Sequence, residues 1–327
     1  MAGNTATRTY TIKKKKFPEI GQYVKYTPDS ASNYYVDSSL SGSDSAQTIT
    51  SAYDPTTWRI MEVGQNGNIT KLLGSPNNNQ SIFTLGNVSG YNNGVYLLND
   101  ICAKRYKNSS LGATARHLNI DDLESQMNNA GLSARNSYKY DRISQYGTTK
   151  MYTGSKAKYP AIYAQEKYSG INISDVSNGS QIIAGNINST AKSKMNPNGK
   201  TQSENVYTSP TYDKTAYTAS YLTCTQTYYS FESPSSYFKN SNFYNMVFET
   251  GTNFWLASRC IKCSPYGDYA SFGIYYILSN RLLSTGFFNY QGYGSGFVRL
   301  APVVSLGSEI QVKNGSGTEN DPYVIGK

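Results

Sequence analysis

Histidine, charge and long apolar runs are all scarce in this sequence, and each shortage narrows what the protein can do. The single histidine is His117, and charged residues make up only 16% of the chain. No apolar run reaches the ~18 residues that a bilayer crossing needs, so we expect no membrane span. The opening residues MAGNTATRTY also lack the apolar segment of a signal peptide. This N-terminal sequence is compatible with another export route, with a leader that has been removed, or with release inside a virion.

Familiar catalytic and metal-binding motifs are missing as well. There is no GxSxG nucleophile elbow, P-loop, HExxH zinc motif or DxDxDG calcium loop. His117 stands at the entrance of a predicted helix, where a structural role is far more common than a catalytic one. The acids Asp121, Asp122 and Glu124 follow it, and the positive end of the helix dipole explains them. We therefore expect no enzyme activity, no metal and no cofactor.

Cysteine is limited to four residues, Cys102, Cys224, Cys260 and Cys263. Cys260 and Cys263 have the CxxC spacing of a redox or zinc site, but the remaining cysteines and His117 complete no known zinc pattern. One structural disulfide is the better interpretation for an extracellular protein. Cys102 with Cys260 is the pair we expect, although the sequence alone leaves the connectivity open.

Tyrosine, in contrast, is abundant, with 31 residues beside many Asn, Ser, Thr and Gly residues. Each Tyr adds a large apolar ring, so a chain with 38% hydrophobic residues can still bury a core. The net charge of +9 falls partly on Lys13 to Lys16, in a basic tail that we assign to residues 1–18. Because the other Lys and Arg residues are scattered, a solvated tail is favoured over nucleic-acid binding.

Periodicity and turn signals predict an α+β domain over residues 19–327. EIGQYVKYTP (19–28) predicts a strand, and WRIMEVGQNGNITKLLGSP (58–76) predicts a hairpin around a Gly-Gln-Asn-Gly turn. NNGVYLLNDICAKRYKN (92–108) predicts a helix, because its apolar residues recur on one helical face. These residues are Val95, Leu98, Ile101 and Cys102.

A second helix is predicted in LNIDDLESQMNNAG. Asn119 caps its start, Gly131 stops it, and Ile120, Leu123 and Met127 form its buried face. Residues 133–253 show no sustained period, so we expect an irregular insert of loops and short strands. Strands return in FWLAS, ASFGIYYIL, GFFNYQ and LAPVVSL, and a terminal strand follows the turn in GSGTENDPYVIGK. This order predicts a mainly antiparallel sheet with two helices and a long insert.

Aromatic residues are concentrated near the C-terminus. They are 12 of the 48 residues from 253 to 300, or 25%, against 13% in the whole chain. The stretch FFNYQGYGSGF, Phe287 to Phe297, places five of these rings among uncharged small and amide residues. Tyr with Ser, Gly and Asn is typical of adaptable binding loops. A sheet whose rings stack across strands explains the same composition equally well.

Several segments resemble a known family. FWLASRC, SFGIYYI and VVSL resemble the C-type-lectin-like domain of variable proteins that retroelements diversify in bacteria and their phages. Six further segments are similar to Firmicutes surface and pilin-like proteins with this domain. They are EIGQYVKYTP, WRIMEV, YNNGVYLLNDIC, SLGATARHLNIDDLE, YPAIYAQEK and GSGTENDPYVI. The resemblance covers most of residues 19–327 and implies a C-type-lectin-like fold. It also implies a hypervariable, exposed region at about residues 260–300.

Adenine-directed mutagenesis in such systems acts on codons such as AAC and cannot reach Lys, Glu, Met or Trp from them, and residues 267–296 contain none of the four. The resemblance and strand alternation place eleven residues on the ligand-binding face. They are Tyr266, Asp268, Tyr269, Gly273, Tyr276, Leu278, Arg281, Leu283, Phe288, Tyr290 and Tyr293. Six residues are expected in the scaffold beneath: Trp255, Leu256, Phe272, Ile274, Val303 and Val304. In FFNYQGYGSGF itself, we expect Phe287 to point inward.

Two departures from the family limit what the resemblance implies. Related domains often have Arg-Pro before VVSL, whereas this chain has RLAPVVSL, which leaves the role of Arg299 open. The calcium and sugar motifs EPN and WND of true lectins are absent, so calcium-dependent sugar binding is not implied.

The resemblance implies a binding protein on a cell surface or virion, with a protein or a surface glycan as its macromolecular ligand. The alternative is a structural surface or pilin-like protein whose aromatic face packs against neighbouring subunits. An enzyme of the formylglycine-generating type on the same fold ranks third, with Cys260 and Cys263 as its only conceivable reactive pair. The oligomeric state is not predicted.

Overall fold

The computed structural model describes residues 17–137, 156–157, 182–183, 235–263, 270–278, 281–289, 292–293 and 295–327. Its helices are α1 (Ser38–Ser41), α2 (Asn87–Arg105), α3 (Ile120–Ser125), α4 (Asn129–Ser137) and α5 (Ser241–Phe248). The strands of the first part are β1 (Tyr23–Lys25), β2 (Tyr34–Val36), β3 (Gln47–Ile49), β4 (Thr57–Val63), β5 (Ile69–Ser75), β6 (Phe83–Gly86), β7 (Thr114–His117), β8 (Lys156–Ala157) and β9 (Ile182–Ile183). Those of the last part are β10 (Phe254–Cys263), β11 (Ala270–Leu278), β12 (Arg281–Asn289), β13 (Gly292–Tyr293), β14 (Ser295–Val298), β15 (Pro302–Ser305), β16 (Gln311–Asn314) and β17 (Tyr323–Gly326).

The larger sheet has seven strands in the order β16-β17-β1-β4-β5-β15-β7. All of its pairings are antiparallel except β1 with β17, which run parallel and join strands from opposite ends of the sequence. The predicted hairpin is confirmed: β4 and β5 pair antiparallel around a turn in which Gly64 N–H donates to Asn68 O at 2.8 Å. The expected return of the terminal strand is also confirmed.

A second sheet of four strands, β10-β11-β12-β13, contains most of the aromatic C-terminal region and is entirely antiparallel. The strands predicted in FWLAS and ASFGIYYIL are therefore confirmed, as is the one in GFFNYQ. With its mostly antiparallel sheets and few helices, the protein is a mixed α+β structure, as the order of elements predicted.

The long helix α2 lies between the layers. The predicted face is buried, since Val95, Leu98, Ile101 and Cys102 are all fully inaccessible. Tyr91 and Leu97 on its other sides are buried too. The helix is thus packed on more than one side, and α2 contacts both β7 of the larger sheet and β10 of the smaller one.

Helix α3 begins as predicted. The Asn119 side chain accepts from Asp122 N–H, and the Asp122 carboxylate accepts from Asn119 N–H, each at 3.0 Å. This reciprocal capping box satisfies two N–H groups that the first turn leaves without helical partners. Ile120, Leu123 and Met127 are buried, as expected.

The predicted stop at Gly131 is wrong. Helix α3 ends at Ser125, and Gly131 lies inside the next helix, α4. A Cβ at Gly131 would stand 2.4 Å from the backbone oxygen of Tyr237. The glycine therefore permits close contact with the short 3₁₀ helix Ser235–Tyr237, and it does not terminate a helix.

The expectation of only loops and short strands in residues 133–253 is wrong for their last part. Helix α5, SNFYNMVF, begins after Asn240, whose side chain accepts from Phe243 N–H at 3.1 Å. Its side chains at five positions are buried: Phe243, Tyr244, Met246, Val247 and Phe248. At eight residues the helix is shorter than the window of about 11–18 residues in which a helical period can be recognised.

One hydrophobic cluster joins the two sheets and α5. It includes Leu73 and Val303 from the larger sheet, Phe254 and Tyr275 from the smaller one, and Phe248 from α5. Burial of such a shared cluster couples the elements, because separating them would expose apolar surface to water.

The expected disulfide between Cys102 and Cys260 is wrong, because Cys102 is a free, buried thiol. It lies on α2 in a second cluster, with Trp58, Leu72, Tyr106 and Val304 of the larger sheet and its surroundings. Burial raises the pKa of the Cys102 thiol well above its usual value, so the thiol stays protonated.

Candidate ligand-binding surface

The aromatic C-terminal region is organised around Trp255, a fully buried residue of β10. Its indole Nε1 donates to the backbone oxygen of Phe83 in β6 at 2.8 Å. The Phe287 ring meets the indole edge-on with centroids 5.7 Å apart, and the Tyr276 ring does so at 6.1 Å. Edge-to-face rings at such distances stabilise a core beyond their buried area alone. Trp255 therefore connects β10, β11 and β12 to β6.

Both sides of the smaller sheet are covered over its central part. On the side of Trp255, Ile274 is so close to α2 that a Cβ at Gly94 would stand 2.2 Å from Ile274 Cδ1. On the other side, Tyr275, Ile277 and Leu282 are buried in the cluster that contains α5. The middle of this sheet is therefore an interior layer of the protein.

The expected scaffold residues are buried where the structure describes their side chains. Trp255, Leu256, Ile274, Val303 and Val304 are all fully inaccessible. Phe287 is also fully buried, as expected for the inward end of FFNYQGYGSGF. Phe272 lies in β11, opposite Phe288 of β12.

Four of the predicted ligand-binding residues have a described degree of burial. Gly273 is buried, Tyr276 and Leu278 are half-buried, and Arg281 is exposed. Along β11, accessibility thus increases from Ile274 towards the end of the strand, where Leu278 pairs with Arg281. Exposure among these four residues is greatest at that end of the β11–β12 pair.

Strand register brings several predicted residues together. Tyr276 pairs with Leu283, Leu278 with Arg281, and Phe288 with Tyr293. Directly opposed residues of antiparallel strands are neighbours in the sheet, so the register places the members of each pair side by side. Tyr266, Asp268, Tyr269 and Tyr290 lie outside the described residues.

An exposed aromatic residue that the predicted set omitted lies in β14. Phe297 is 61% exposed, whereas its neighbour Val298 is buried. Phe297 pairs with Thr84 of β6, and Val298 pairs with the buried Phe83. The alternation of a strand explains the contrast, since successive side chains point to opposite faces. Applied to GFVRL, this alternation could have identified Phe297, because Val298 is the more typical core residue.

The outer face of the β6–β14 ribbon carries a second exposed apolar side chain, Ile82, at 45% exposure just before β6. Gln47 fixes the free edge of β6, donating to Thr84 O at 2.9 Å and accepting from Thr84 N–H at 2.7 Å. The ribbon is thus held by pairing on one side and by a side-chain amide on the other.

Arg299 links this ribbon to the smaller sheet. Its backbone N–H donates to Asn253 O at 3.1 Å, and its carbonyl accepts from Trp255 N–H at 3.0 Å. Its guanidinium Nη2 donates to Asn78 O at 3.1 Å. These contacts assign Arg299 a structural role at the junction of β14 and β10.

His117 has a structural environment. Its Nε2 accepts from Ala301 N–H at 2.9 Å, and its Nδ1 lies 3.0 Å from Leu118 O, to which it donates. Both ring nitrogens are thus engaged with the backbone. Burial lowers the pKa of His117 to about 4, so the ring is neutral at physiological pH.

Asp122, one of the acids after His117, is also engaged in structure. Asp122 accepts from both terminal nitrogens of Arg116, at 2.6 and 2.5 Å, in addition to its role in the capping box. In the described part of the chain, no three His, Cys, Asp or Glu side chains gather closely enough to hold a metal ion.

Comparison with protein-family models, curated proteins and solved structures gives no match for the chain. Among the described residues, no helix combines the length and apolar composition that a membrane crossing needs.

Proposed function

We propose that the protein binds a macromolecular ligand, a protein or a surface glycan, through the outer surface formed by its aromatic C-terminal strands. The observation that carries this proposal is Phe297, an aromatic residue 61% exposed on a strand whose next residue, Val298, is buried. Large aromatic side chains supply much of the energy of protein interfaces, and their exposure on a fixed strand limits the entropy lost on binding.

The support beneath that surface favours recognition with little rearrangement. Trp255 and Phe287 are fully buried and in contact, and Gln47 holds the edge of β6. Side chains on such a support can vary without changing the fold, because packing below them does not depend on their identity. Exposed Arg281 and half-buried Tyr276 and Leu278 belong to this proposed surface.

We further propose a C-type-lectin-like scaffold, diversified by a retroelement and displayed on a cell surface or virion. The resemblance of FWLASRC, SFGIYYI and VVSL supports it, as does the absence of Lys, Glu, Met and Trp from residues 267–296. The mixed α+β architecture is compatible with that scaffold.

Sequencing the gene neighbourhood and many copies of the gene from one population tests diversification. We expect a reverse-transcriptase gene, a near-repeat of the codons for residues 260–300, and changes confined to adenine positions in that window. Codons for the buried residues Trp255 and Ile277 should stay constant. An invariant window with neither neighbouring element would exclude diversification but leave binding to the next experiment.

Binding is tested by measuring how much labelled protein a panel of bacterial surfaces and purified surface glycans retains. Phe297→Ala should reduce retention about tenfold or more, the usual effect of truncating a central aromatic contact. Val324→Ala is the control, because Val324 is an exposed apolar residue (41%) on β17, in the larger sheet and not in the β6–β14 ribbon.

Two results would contradict the binding proposal. One is equal retention of wild type and Phe297→Ala by every surface that binds at all. The other is concentration-dependent self-association of the wild type that Phe297→Ala abolishes, which would establish the pilin-like packing role in its place.

A further inference from the structure

A groove of about 250 Å³ lies at the far end of the larger sheet, away from the proposed binding surface in sequence and in strand order. The β4–β5 turn forms one wall, and strands β16 and β17 form the other. Phe17 and Pro18, which precede β1, complete it. Its volume is below the roughly 300–1,000 Å³ of sites for drug-sized ligands, which restricts it to a small ligand or to the end of a larger one.

Phe17 is the aromatic wall of the groove. The residue is 53% exposed, and its ring rests on Gly67, where a Cβ would stand only 2.3 Å from Phe17 Cδ1. Gly67 has φ +75°, a left-handed conformation that the β4–β5 turn requires and that glycine adopts without strain. Because Gly67 has no side chain, the Phe17 ring packs directly against the backbone of the turn. A large part of Phe17 is accessible to solvent.

Amide side chains supply the polar part of the lining. They belong to Asn66 and Asn68 in the turn and to Gln311 in β16. No hydrogen bond among the described residues engages these three side-chain amides, so each can both donate to and accept from a ligand. No lining residue carries a charge.

An accessible aromatic ring beside uncharged amides matches the chemistry of a neutral sugar. A pyranose presents apolar C–H groups on one face, which pack on an aromatic ring, and hydroxyl groups around its rim, which exchange hydrogen bonds with amides. An anionic or cationic ligand would find no opposite charge in this lining. We propose that the groove binds a neutral saccharide of one or two pyranose rings.

Saturation-transfer NMR with lactose, cellobiose and N,N′-diacetylchitobiose as separate probes tests this assignment. We expect at least one probe to bind with a dissociation constant of about 1 mM or less. Phe17→Ala should weaken it about tenfold by removing the stacking surface. Phe297→Ala should leave it unchanged, which separates this site from the proposed function.

Gly67→Ala offers a sharper test, because it leaves every ligand-contacting group in the chain and only displaces the Phe17 ring. Its matched control is Gly251→Ala, at a glycine with φ +68° and no atom within 4 Å of an added Cβ. Both variants place alanine at a positive φ, but only Gly67→Ala should weaken binding. Gln311→Ala, at an exposed position, provides a second measure if Gly67→Ala does not fold.

Three outcomes would overturn the saccharide site. The first is that no probe binds the wild-type protein at about 10 mM. The second is that Phe17→Ala and Gln311→Ala both bind the probes as the wild type does. The third is that a neutral acetylated tripeptide binds the groove, is lost in Phe17→Ala, and displaces or outcompetes every sugar.

Discussion

The ring of His117 accepts a hydrogen bond from the backbone N–H of Ala301, 2.9 Å away, and thereby joins the end of β7 to the residue before β15. This acceptor role requires a neutral ring. Burial is the largest cause that lowers the pKa of His117 to about 4, and the charge of Arg116 acts in the same direction.

Stability should therefore fall as the pH falls through the window between 6.5 and about 4. The unfolded chain binds a proton there that the folded chain does not, so the contribution of His117 is complete above pH 6.5 and decreases below it. We expect the free energy of unfolding in urea to drop by about 2 kcal/mol between pH 7 and pH 5. His117→Gln should remove this drop, and its persistence in that variant would assign it to other groups.

The two ends of FFNYQGYGSGF should differ sharply in their contribution to stability. Phe287 is fully buried against Trp255, so Phe287→Ala should lower the free energy of unfolding by about 3–5 kcal/mol. Phe297→Ala should change it by less than about 0.5 kcal/mol, because that ring is largely exposed. Chemical denaturation of both variants measures the contrast, and comparable losses would mean that Phe297 belongs to the core.

Gly131→Ala should destabilise the protein although alanine is the better helix former. An interior helical alanine is favoured by about 1 kcal/mol over glycine, but here its Cβ would meet Tyr237 O at 2.4 Å. Relieving that clash should leave a net loss of about 1–3 kcal/mol. Thermal melting measures this loss. In the same measurement Ser133→Ala, at an exposed position of the same helix, should be neutral or slightly stabilising. A stabilised Gly131→Ala would mean that α4 and the 3₁₀ turn are farther apart.

The Cys102 thiol should resist alkylation in the folded protein. It is completely buried and its pKa is well above the usual value, so neither access nor thiolate is available. Iodoacetamide at pH 8 should leave the Cys102 peptide unmodified until urea unfolds the chain, as peptide mass spectrometry can measure. Native labelling, or recovery of that peptide in a disulfide with Cys260, would contradict the structure.

Elements with a local signal could be predicted from the sequence. The β4–β5 hairpin has its Gly-Gln-Asn-Gly turn, α2 has a regular apolar face, and α3 has the side chains of a capping box. Each of these features depends on residues that are close together in the chain, so a short window contains the information.

Features that depend on distant contacts could not be predicted. Gly131 has the composition of a helix stop, and only the neighbouring Tyr237 carbonyl explains its place inside α4. Helix α5 has only eight residues, too few for its apolar face to stand out within the long polar insert. Cys102 was expected to form a disulfide. Its thiol is instead buried where α2 packs against the larger sheet, and this packing depends on residues distant in sequence.

The sequence predicted the location of the proposed binding surface better than it predicted the residues that form it. Strand alternation identified Tyr276 and Leu278 as sharing a face, but it could not predict that α2 would cover the same face at Ile274. Phe297 was left out of the predicted set because the glycines around it obscure where β14 begins. Its pairing with Thr84 of β6 depends on a strand about 200 residues earlier in the sequence.

The parallel pairing of β1 with β17 has a mechanical consequence. Val24 lies beside Tyr323 and Lys25 beside Val324, with both strands running in the same direction. A pulling force that enters the chain before Tyr23 and leaves it after Gly326 would act on the two strands in opposite senses along their length. Their hydrogen bonds would then be loaded together in shear, which resists tension far better than opening them one after another.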